Sequence, residues 1–234
     1  MTTDPMAATQ IAHKPLYRYL ESKFVESFFD CGSLFLTTYA RCRKHEDSVR
    51  RDEGEGKFNF HLQHGQSAIA VMQTSGDRSY MLCTSLVGSK ELADRFDTDS
   101  HIKIVDPSGF FDAVAAALPG LEARKYWACE YLAERSEMKS LQAPLQPDMS
   151  KLLAATALGG KGNIEELYYE MHSDFSRRVS DQMSDVGYFA KPDTFAIERE
   201  FRMIWTMRDE LGDGKLIQCP DARKFCERGS SCSA

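Results

Sequence analysis

Residues 195–205 read Phe195-Ala196-Ile197-Glu198-Arg199-Glu200-Phe201-Arg202-Met203-Ile204-Trp205, and their side chains alternate between two kinds. Alternation with a period of two is typical of a half-buried β-strand, in which same-face neighbours lie roughly 7 Å apart. Two carboxylates in a row on the polar face repel each other, so they need a positive partner. Arg202 is one candidate, as an ordinary exposed ion pair, and a cationic substrate is the other. The apolar face carries Phe195, Ile197, Phe201, Met203 and Trp205, interrupted by Arg199, and the polar face carries Ala196, Glu198, Glu200, Arg202 and Ile204.

Composition places the chain among globular proteins. It has 234 residues, 42% of them hydrophobic and 27% charged, and a net charge of −6. The acidic balance disfavours a dedicated nucleic-acid-binding protein. No apolar run is long enough to span a membrane and no hydrophobic signal segment is evident, so we expect a cytoplasmic protein with no membrane partner. The seven scattered cysteines then predict reduced thiols.

The order of predicted elements favours an α+β fold. Strands are predicted at 16–20, 33–39 and 79–86 and helices at 21–31, 110–118 and 164–183, without a regular strand–helix rhythm. Asp213-Gly214 predicts a hairpin turn that leads into Leu216-Ile217-Gln218. We expect a flexible N-terminal arm at 1–14, a single α+β domain at 15–220 with a mixed or antiparallel sheet, and a C-terminal tail at 221–234.

Several familiar signatures are missing, including the P-loop, the dinucleotide-binding glycine motif and the zinc-binding HExxH motif. The glycine run Gly159-Gly160-Lys161-Gly162 lacks the preceding strand and following hydroxyl residue of a phosphate loop. Pro192-Asp193 followed by Glu198-x-Glu200 is similar to the carboxylates of metal-dependent nucleases. Glu200 stands where those enzymes use lysine, so a nuclease is the weaker alternative and no metal is expected.

What remains is a three-part pattern with one part on each of three strands. Arg18 lies on the first strand, Thr84-Ser85 ends a middle strand, and Glu198-x-Glu200 lies on the late strand. The two ends of the chain resemble a widespread family of bacterial domains of unknown function, whose members begin with a Leu-Tyr-x-Tyr strand and end with a Glu-x-Glu-aromatic-Arg strand. The middle of the chain has no clear equivalent of the Trp-x-x-Tyr segment of that family.

The order of the three parts also resembles the ADP-ribosyltransferase superfamily. That resemblance implies a split β-sheet with flanking helices, NAD⁺ as a substrate held in the cleft, and an acceptor that is a protein or nucleic acid. It further implies a toxin or defence effector, with a regulatory protein partner. The implied catalytic residues are Glu200, Glu198 and Arg18, and the implied NAD⁺-binding residues are Arg18, Tyr17, Thr84, Ser85 and Arg202.

The proposed chemistry suits these side chains. Breaking the nicotinamide–ribose bond builds positive charge on the ribose, which Glu200 would stabilise while Glu198 orients or deprotonates the acceptor. A guanidinium such as Arg18 is suited to forked contacts with phosphate or ribose oxygens. Two other interpretations stay open. Arg18 and Glu200 would form a structural ion pair between neighbouring strands, or the domain would bind a ligand or a protein without catalysis.

Overall fold

The computed structural model describes residues 14–46, 51–141, 172–177, 179–180, 183 and 185–230. By their internal contacts they fall into two compact units. Unit 1 comprises residues 1–57, 74–135 and 188–234, and unit 2 comprises residues 58–73 and 136–187. The prediction of one domain over residues 15–220 did not anticipate this division, and each unit is described by itself.

Thirteen strands and the five α-helices that lie wholly within the described residues define the architecture. The strands are β1 (Leu16–Leu20), β2 (Ser33–Thr38), β3 (Lys57–His64), β4 (Ser67–Thr74), β5 (Ser79–Ser85), β6 (Ser100–Ile104), β7 (Leu121–Ala128), β8 (Glu130–Leu132), β9 (Ser136–Ser140), β10 (Ala190–Pro192), β11 (Glu200–Met207), β12 (Gly214–Gln218) and β13 (Cys226–Ser230). The helices are α1 (Ser22–Cys31), α2 (Tyr39–Arg43), α3 (Lys90–Arg95), α4 (Pro107–Ala116) and α5 (Val186–Phe189), and 3-10 helices cover Asp193–Glu198 and Pro220–Phe225.

Local sequence signals explain where the helices begin and end. The Ser89 hydroxyl accepts a hydrogen bond from the Leu92 N–H (3.2 Å) and caps α3. A carboxylate oxygen of Asp106 accepts from the Gly109 N–H (3.0 Å) and caps α4, with Pro107 as its first residue. Helix α1 ends at Gly32, whose φ of 76° is in the left-handed region. The predictions of helices at 21–31 and 110–118 are thus confirmed within a few residues.

Gly32 also lies against the backbone of residue 220. A Cβ atom placed on it would be 2.4 Å from the Pro220 nitrogen, whereas a Cβ on Gly120, with a similar φ of 81°, would meet nothing within 4 Å. We expect Gly32→Ala to lower the free energy of unfolding by about 2–5 kcal/mol, from both backbone strain and overpacking. Gly120→Ala carries the strain alone and should cost about 1–2 kcal/mol. Urea unfolding of the two variants side by side checks this, and equal losses would rule out the steric part.

Unit 1 is built on an eight-stranded sheet in which the recorded strand pairs are antiparallel. Strand β5 has three partners. β11 pairs with it over its whole length, while β2 pairs with its first half and β1 with its last residue. Since a strand has two edges, β1 and β2 share the edge opposite β11, and the sheet divides beyond β5. β12 lies outside β2, β6 and β13 lie outside β1, and β7 lies outside β11. The α+β class is confirmed.

One face of this sheet forms the main core. Apolar side chains of the strands pack there against α1, α4 and the 3-10 helix Pro220–Phe225. The largest of the fully buried apolar side chains in this core are Trp205, Phe201, Phe28 and Phe110, all with at most 1% of their surface exposed. Phe201, Met203 and Trp205 therefore anchor β11 in the core, as the sequence predicted.

The first half of residues 195–205 is not a strand. Asp193–Glu198 is a 3-10 helix, Arg199 has a positive φ of 42°, and β11 begins at Glu200. Ile197 is 41% exposed rather than part of the core. The strand is also buried on both faces instead of one, because Arg202 and Ile204, on the face away from the main core, are both 0% exposed.

Two predictions near the C-terminus need correction. The turn at Asp213-Gly214 does not close a hairpin with the preceding strand, because β12 pairs with β2. Residues 221–234 were predicted to be a tail, but the structure places β13 beside β6 in the sheet of unit 1. The chain therefore pairs with a different strand after the predicted turn, and it returns to the sheet in the segment that was predicted to be a tail.

Unit 2 contains a three-stranded sheet in the order β4-β3-β9, with β3 and β9 parallel. Phe58, Phe60 and Leu62 alternate along β3 and are buried. Residues 172–177 are helical, which agrees with that part of the helix predicted at 164–183. Most of that helix and the glycine run at 159–162 lie outside the described residues. In the described ranges no helix is long and apolar enough to cross a membrane. Six of the seven cysteines lie in these ranges, and all six are free thiols.

Candidate functional site

Unit 1 buries five ionisable side chains beside the start of β11, on the face of the strand opposite Phe201 and Trp205. Each of the five has at most 6% of its surface exposed. Charged side chains are almost never buried to this degree unless they are paired. We call this set the charge cluster, and it consists of Glu55, Lys191, Glu198, Glu200 and Arg202.

Lys191 lies between two of the carboxylates. It is carried by β10, which runs parallel to β8. Its ammonium donates to Oε2 of Glu198 (2.5 Å) and to Oε2 of Glu200. The left-handed backbone at Arg199 separates the 3-10 helix from β11. The sequence predicted that both carboxylates share one face of a strand, whereas in the structure they share one lysine.

Glu200 has both carboxylate oxygens engaged. Oε2 accepts from Lys191, and Oε1 accepts from Nε of Arg202 at 2.5 Å. The Glu200 backbone N–H donates to the Tyr131 hydroxyl (2.6 Å), and the Cys129 thiol lies 3.7 Å from Oε1. Glu200 is therefore enclosed by the protein, and a substrate would have to displace one of its partners to reach it.

Arg202 links Glu200 to the far end of the cluster. Its Nη1 donates to the Tyr188 carbonyl (2.7 Å), and its Nη2 lies 2.7 Å from Oε1 of Glu55. The geometry between Nη2 and Oε1 does not allow a hydrogen bond, so the contact is purely electrostatic. The three carboxylates and two cations leave one negative charge in excess.

Glu198 is the point where the cluster meets a partly exposed charge. Nε of Arg95, from α3, lies 3.8 Å from Oε1 of Glu198, and the Arg95 side chain is 31% exposed. The Ser85 hydroxyl donates to the Glu198 carbonyl at 2.8 Å and so holds the end of the 3-10 helix against β5. Glu198 is therefore the carboxylate of the cluster to which a ligand beside Arg95 has access.

The three carboxyl groups of the charge cluster have pKa values shifted in different directions. Burial alone would raise the pKa of Glu200, but Arg202 and Lys191 outweigh burial and hold its pKa well below the usual range. Burial raises the pKa of Glu198, and Lys191 and Arg95 offset this only in part. Burial likewise raises the pKa of Glu55 despite the nearby Arg202. Neighbouring carboxylates with divergent acidities are a common feature of acid–base sites, although structural ion pairs produce them too.

The structure brings some of the predicted site residues together. Tyr17 and Glu200 both pair with Ser85, so the three form one row across β1, β5 and β11. Glu198, Glu200 and Arg202 meet in the charge cluster.

Arg18 and Thr84 lie elsewhere. Successive side chains of a strand point to opposite faces, so Arg18 lies on the face opposite Tyr17 and Glu200. Its guanidinium donates to the Cys83 carbonyl at 2.7 Å. The Thr84 hydroxyl donates to the Phe201 carbonyl at 2.9 Å. Arg18 and Glu200 therefore neither face each other across a cleft nor form the cross-strand ion pair of the alternative interpretation.

Sequence reasoning missed Lys191, Glu55 and Arg95. Lys191 stands just before Pro192 and Glu55 lies in a segment rich in charges of both signs, and neither residue belongs to the alternating stretch at 195–205. One signal was available for Lys191, because two unpaired carboxylates on one strand call for more than a single arginine. Among residues with a described placement, no group of three or more metal-binding side chains is arranged to hold a metal ion.

Comparisons with family models, with curated proteins and with solved structures find no match to this chain.

Proposed function

We propose that unit 1 cleaves the nicotinamide–ribose bond of NAD⁺ and passes ADP-ribose to water or to an acceptor on a protein or nucleic acid. The observation that carries the proposal is the excess negative charge of the buried cluster, which at Glu198 meets only the partly exposed and loosely held Arg95. Because Arg95 balances Glu198 only from 3.8 Å, this carboxylate can still attract a cation, and both the nicotinamide ring and the developing ribose centre are cationic.

The role of each side chain in the reaction follows from whether a ligand can reach it. The bond between ribose C1′ and the ring nitrogen breaks with both electrons going to nicotinamide, which leaves as a neutral molecule. Glu198 faces the positive charge that develops on the ribose and accepts the proton of the attacking hydroxyl or water. Lys191 and Glu200 orient Glu198 and are positioning residues. This assignment gives Glu198 both of the roles that were divided between the two glutamates on the sequence alone, and it leaves Arg18 without a role.

A binding module without catalysis is the second candidate. It is favoured by the engagement of both carboxylate oxygens of Glu200 and by the position of Arg18 on the other face of the sheet. In that case the cluster serves the architecture of unit 1, and ligands bind without being changed.

Glu198→Gln is expected to lower nicotinamide release from NAD⁺ at least about 100-fold, because the variant can neither accept a proton nor stabilise the cation. Release is followed by chromatography, with protein extract and RNA supplied as acceptors. Glu122→Gln is the matched control, because Glu122 lies on β7 and pairs with the partly exposed Arg78. NAD⁺ binding without release by the wild-type protein would favour the second candidate, and unchanged release by Glu198→Gln would remove Glu198 from the mechanism.

A further inference from the structure

Arg95 differs from every member of the charge cluster in its exposure. Its side chain is 31% exposed, whereas those of Lys191 and Glu198 are 8% and 6% exposed. It is the last residue of α3, and that helix begins just after the hydroxyl cap at Ser89. Arg95 is therefore the cation through which a dissolved ligand would approach Glu198.

The contact between Arg95 and Glu198 is loose. Their nearest atoms are 3.8 Å apart, whereas Lys191 holds the other oxygen of Glu198 at 2.5 Å. In the part of the chain that the structure describes, this is the one polar contact recorded for the Arg95 guanidinium. A guanidinium has five N–H donors in a planar fork that matches phosphate oxygens. Most of the hydrogen-bonding capacity of Arg95 thus remains available to a ligand.

The surroundings of α3 do not attract anions in general. Asp94, the residue before Arg95, lines a hollow in which the carboxylates of Glu21, Asp97 and Asp99 outweigh the basic Lys23. Nonspecific attraction of phosphate to this helix is therefore disfavoured. Because Lys191 is buried, a phosphate that reaches Glu198 from solution meets the Arg95 guanidinium first.

We propose that Arg95 binds a phosphate group of the ligand and that Glu198 competes with this phosphate for the guanidinium. The inference rests on the proposed function for the identity of the ligand, since NAD⁺ carries a pyrophosphate beside the ribose to be attacked. A phosphate bound to Arg95 replaces Glu198 as the partner of the guanidinium. The Glu198 carboxylate can then pair with the cationic nicotinamide ribose of the same molecule. Arg95 then takes the role of holding phosphate or ribose oxygens that the resemblance implied for Arg18.

If Glu198 and phosphate compete for Arg95, substitutions of the two residues should change the affinity for phosphate in opposite directions. With inorganic pyrophosphate as the probe in isothermal titration calorimetry at low salt, Arg95→Gln should weaken binding at least about tenfold. Glu198→Gln should strengthen binding by about two- to fivefold, because the guanidinium no longer shares its charge with a carboxylate. Arg78→Gln, at an arginine that is 49% exposed and paired with Glu122, is the matched control and should bind like the wild-type protein.

Each result is decisive because the two substitutions act in opposite directions. A loss with Arg95→Gln together with a gain with Glu198→Gln supports the competition. Unchanged binding in either variant, weaker binding in Glu198→Gln, or no binding of pyrophosphate by the wild-type protein overturns it. Tryptophan fluorescence confirms that each variant is folded. Pyrophosphate binding is measured without NAD⁺, so failure of NAD⁺ cleavage leaves this result standing, and failure of pyrophosphate binding leaves the cleavage assay to be judged by itself.

Discussion

Replacing Arg202 with methionine is expected to lower the free energy of unfolding of unit 1 by about 3–5 kcal/mol, the usual cost of removing one partner of a buried ion pair. Arg202 is 0% exposed and contacts two carboxylates, Glu200 and Glu55. Methionine fills much of the space but leaves Glu55 buried without a cation and Glu200 with Lys191 alone. Both tryptophans of the chain, Trp127 and Trp205, belong to unit 1. Urea unfolding followed by their fluorescence therefore measures this unit.

Two controls separate charge from packing in the Arg202 experiment. Arg78→Met, at a half-exposed ion pair, should change stability by no more than about 1 kcal/mol. Adding Glu55→Gln to Arg202→Met removes one uncompensated charge, so the double variant should be more stable than Arg202→Met alone. A loss below about 1 kcal/mol for Arg202→Met would mean that the cluster is hydrated rather than enclosed.

Lys191→Met should also cost about 3–5 kcal/mol at pH 7, and its effect should depend on pH. Without the ammonium, Glu198 and Glu200 face each other inside the protein. The pKa of Glu198 is already raised by burial, and the loss of Lys191 raises it further, so Glu198 takes up a proton as the pH falls. The difference between Lys191→Met and the wild-type protein should therefore shrink between pH 7 and pH 5.

The second substitution Glu198→Gln tests this explanation directly. It removes the charge that Lys191 balanced, so Lys191→Met combined with Glu198→Gln should recover part of the stability at pH 7 and lose the pH dependence. Urea unfolding of the wild-type protein, of Lys191→Met and of the double variant is measured at pH 5, 6 and 7. A penalty for Lys191→Met that is the same at all three pH values would show that packing, not charge, accounts for it.

The wild-type protein should follow the opposite trend in acid. Burial opposes ionisation of Glu200, but Arg202 and Lys191 hold its pKa below the ordinary value of 4.5. A carboxylate with a lowered pKa stabilises the fold above its ordinary pKa, and that stability is lost as the pH falls toward the folded-state value. Glu200 therefore contributes to acid unfolding below about pH 4.5, whereas Lys191→Met is most damaging near neutrality.

The sequence predicted much of the strand framework and its helices. β1, β2 and β5 lie where their patterns placed them. The reason is that hydrophobic alternation and capping residues act locally, over distances that a single sequence reveals. The neighbour relations of β5, with three partners, depend on contacts far apart in the chain and were not predicted in detail.

The charge cluster could be predicted only in part, for a physical reason. A period of two distinguishes the two faces of a strand but not a solvated polar face from a buried one whose charges are paired. Glu198-x-Glu200-x-Arg202 fits both descriptions, and the partners that decide between them, Glu55 and Lys191, come from other segments. The 3-10 helix before Glu200 was missed because Phe195 to Glu198 fits the alternation equally well and no glycine marks the left-handed backbone at Arg199.

The buried charge cluster also constrains how this protein can change over generations. Loss of either cation leaves a carboxylate buried without its counter-charge, so a single substitution at Arg202 or Lys191 carries a penalty that a second substitution can relieve. Positions 55 and 202, and positions 191 and 198, are therefore expected to vary together among descendants of this chain. Positions 55 and 202 lie far apart in the sequence, yet substitutions at one are expected to depend on the residue at the other.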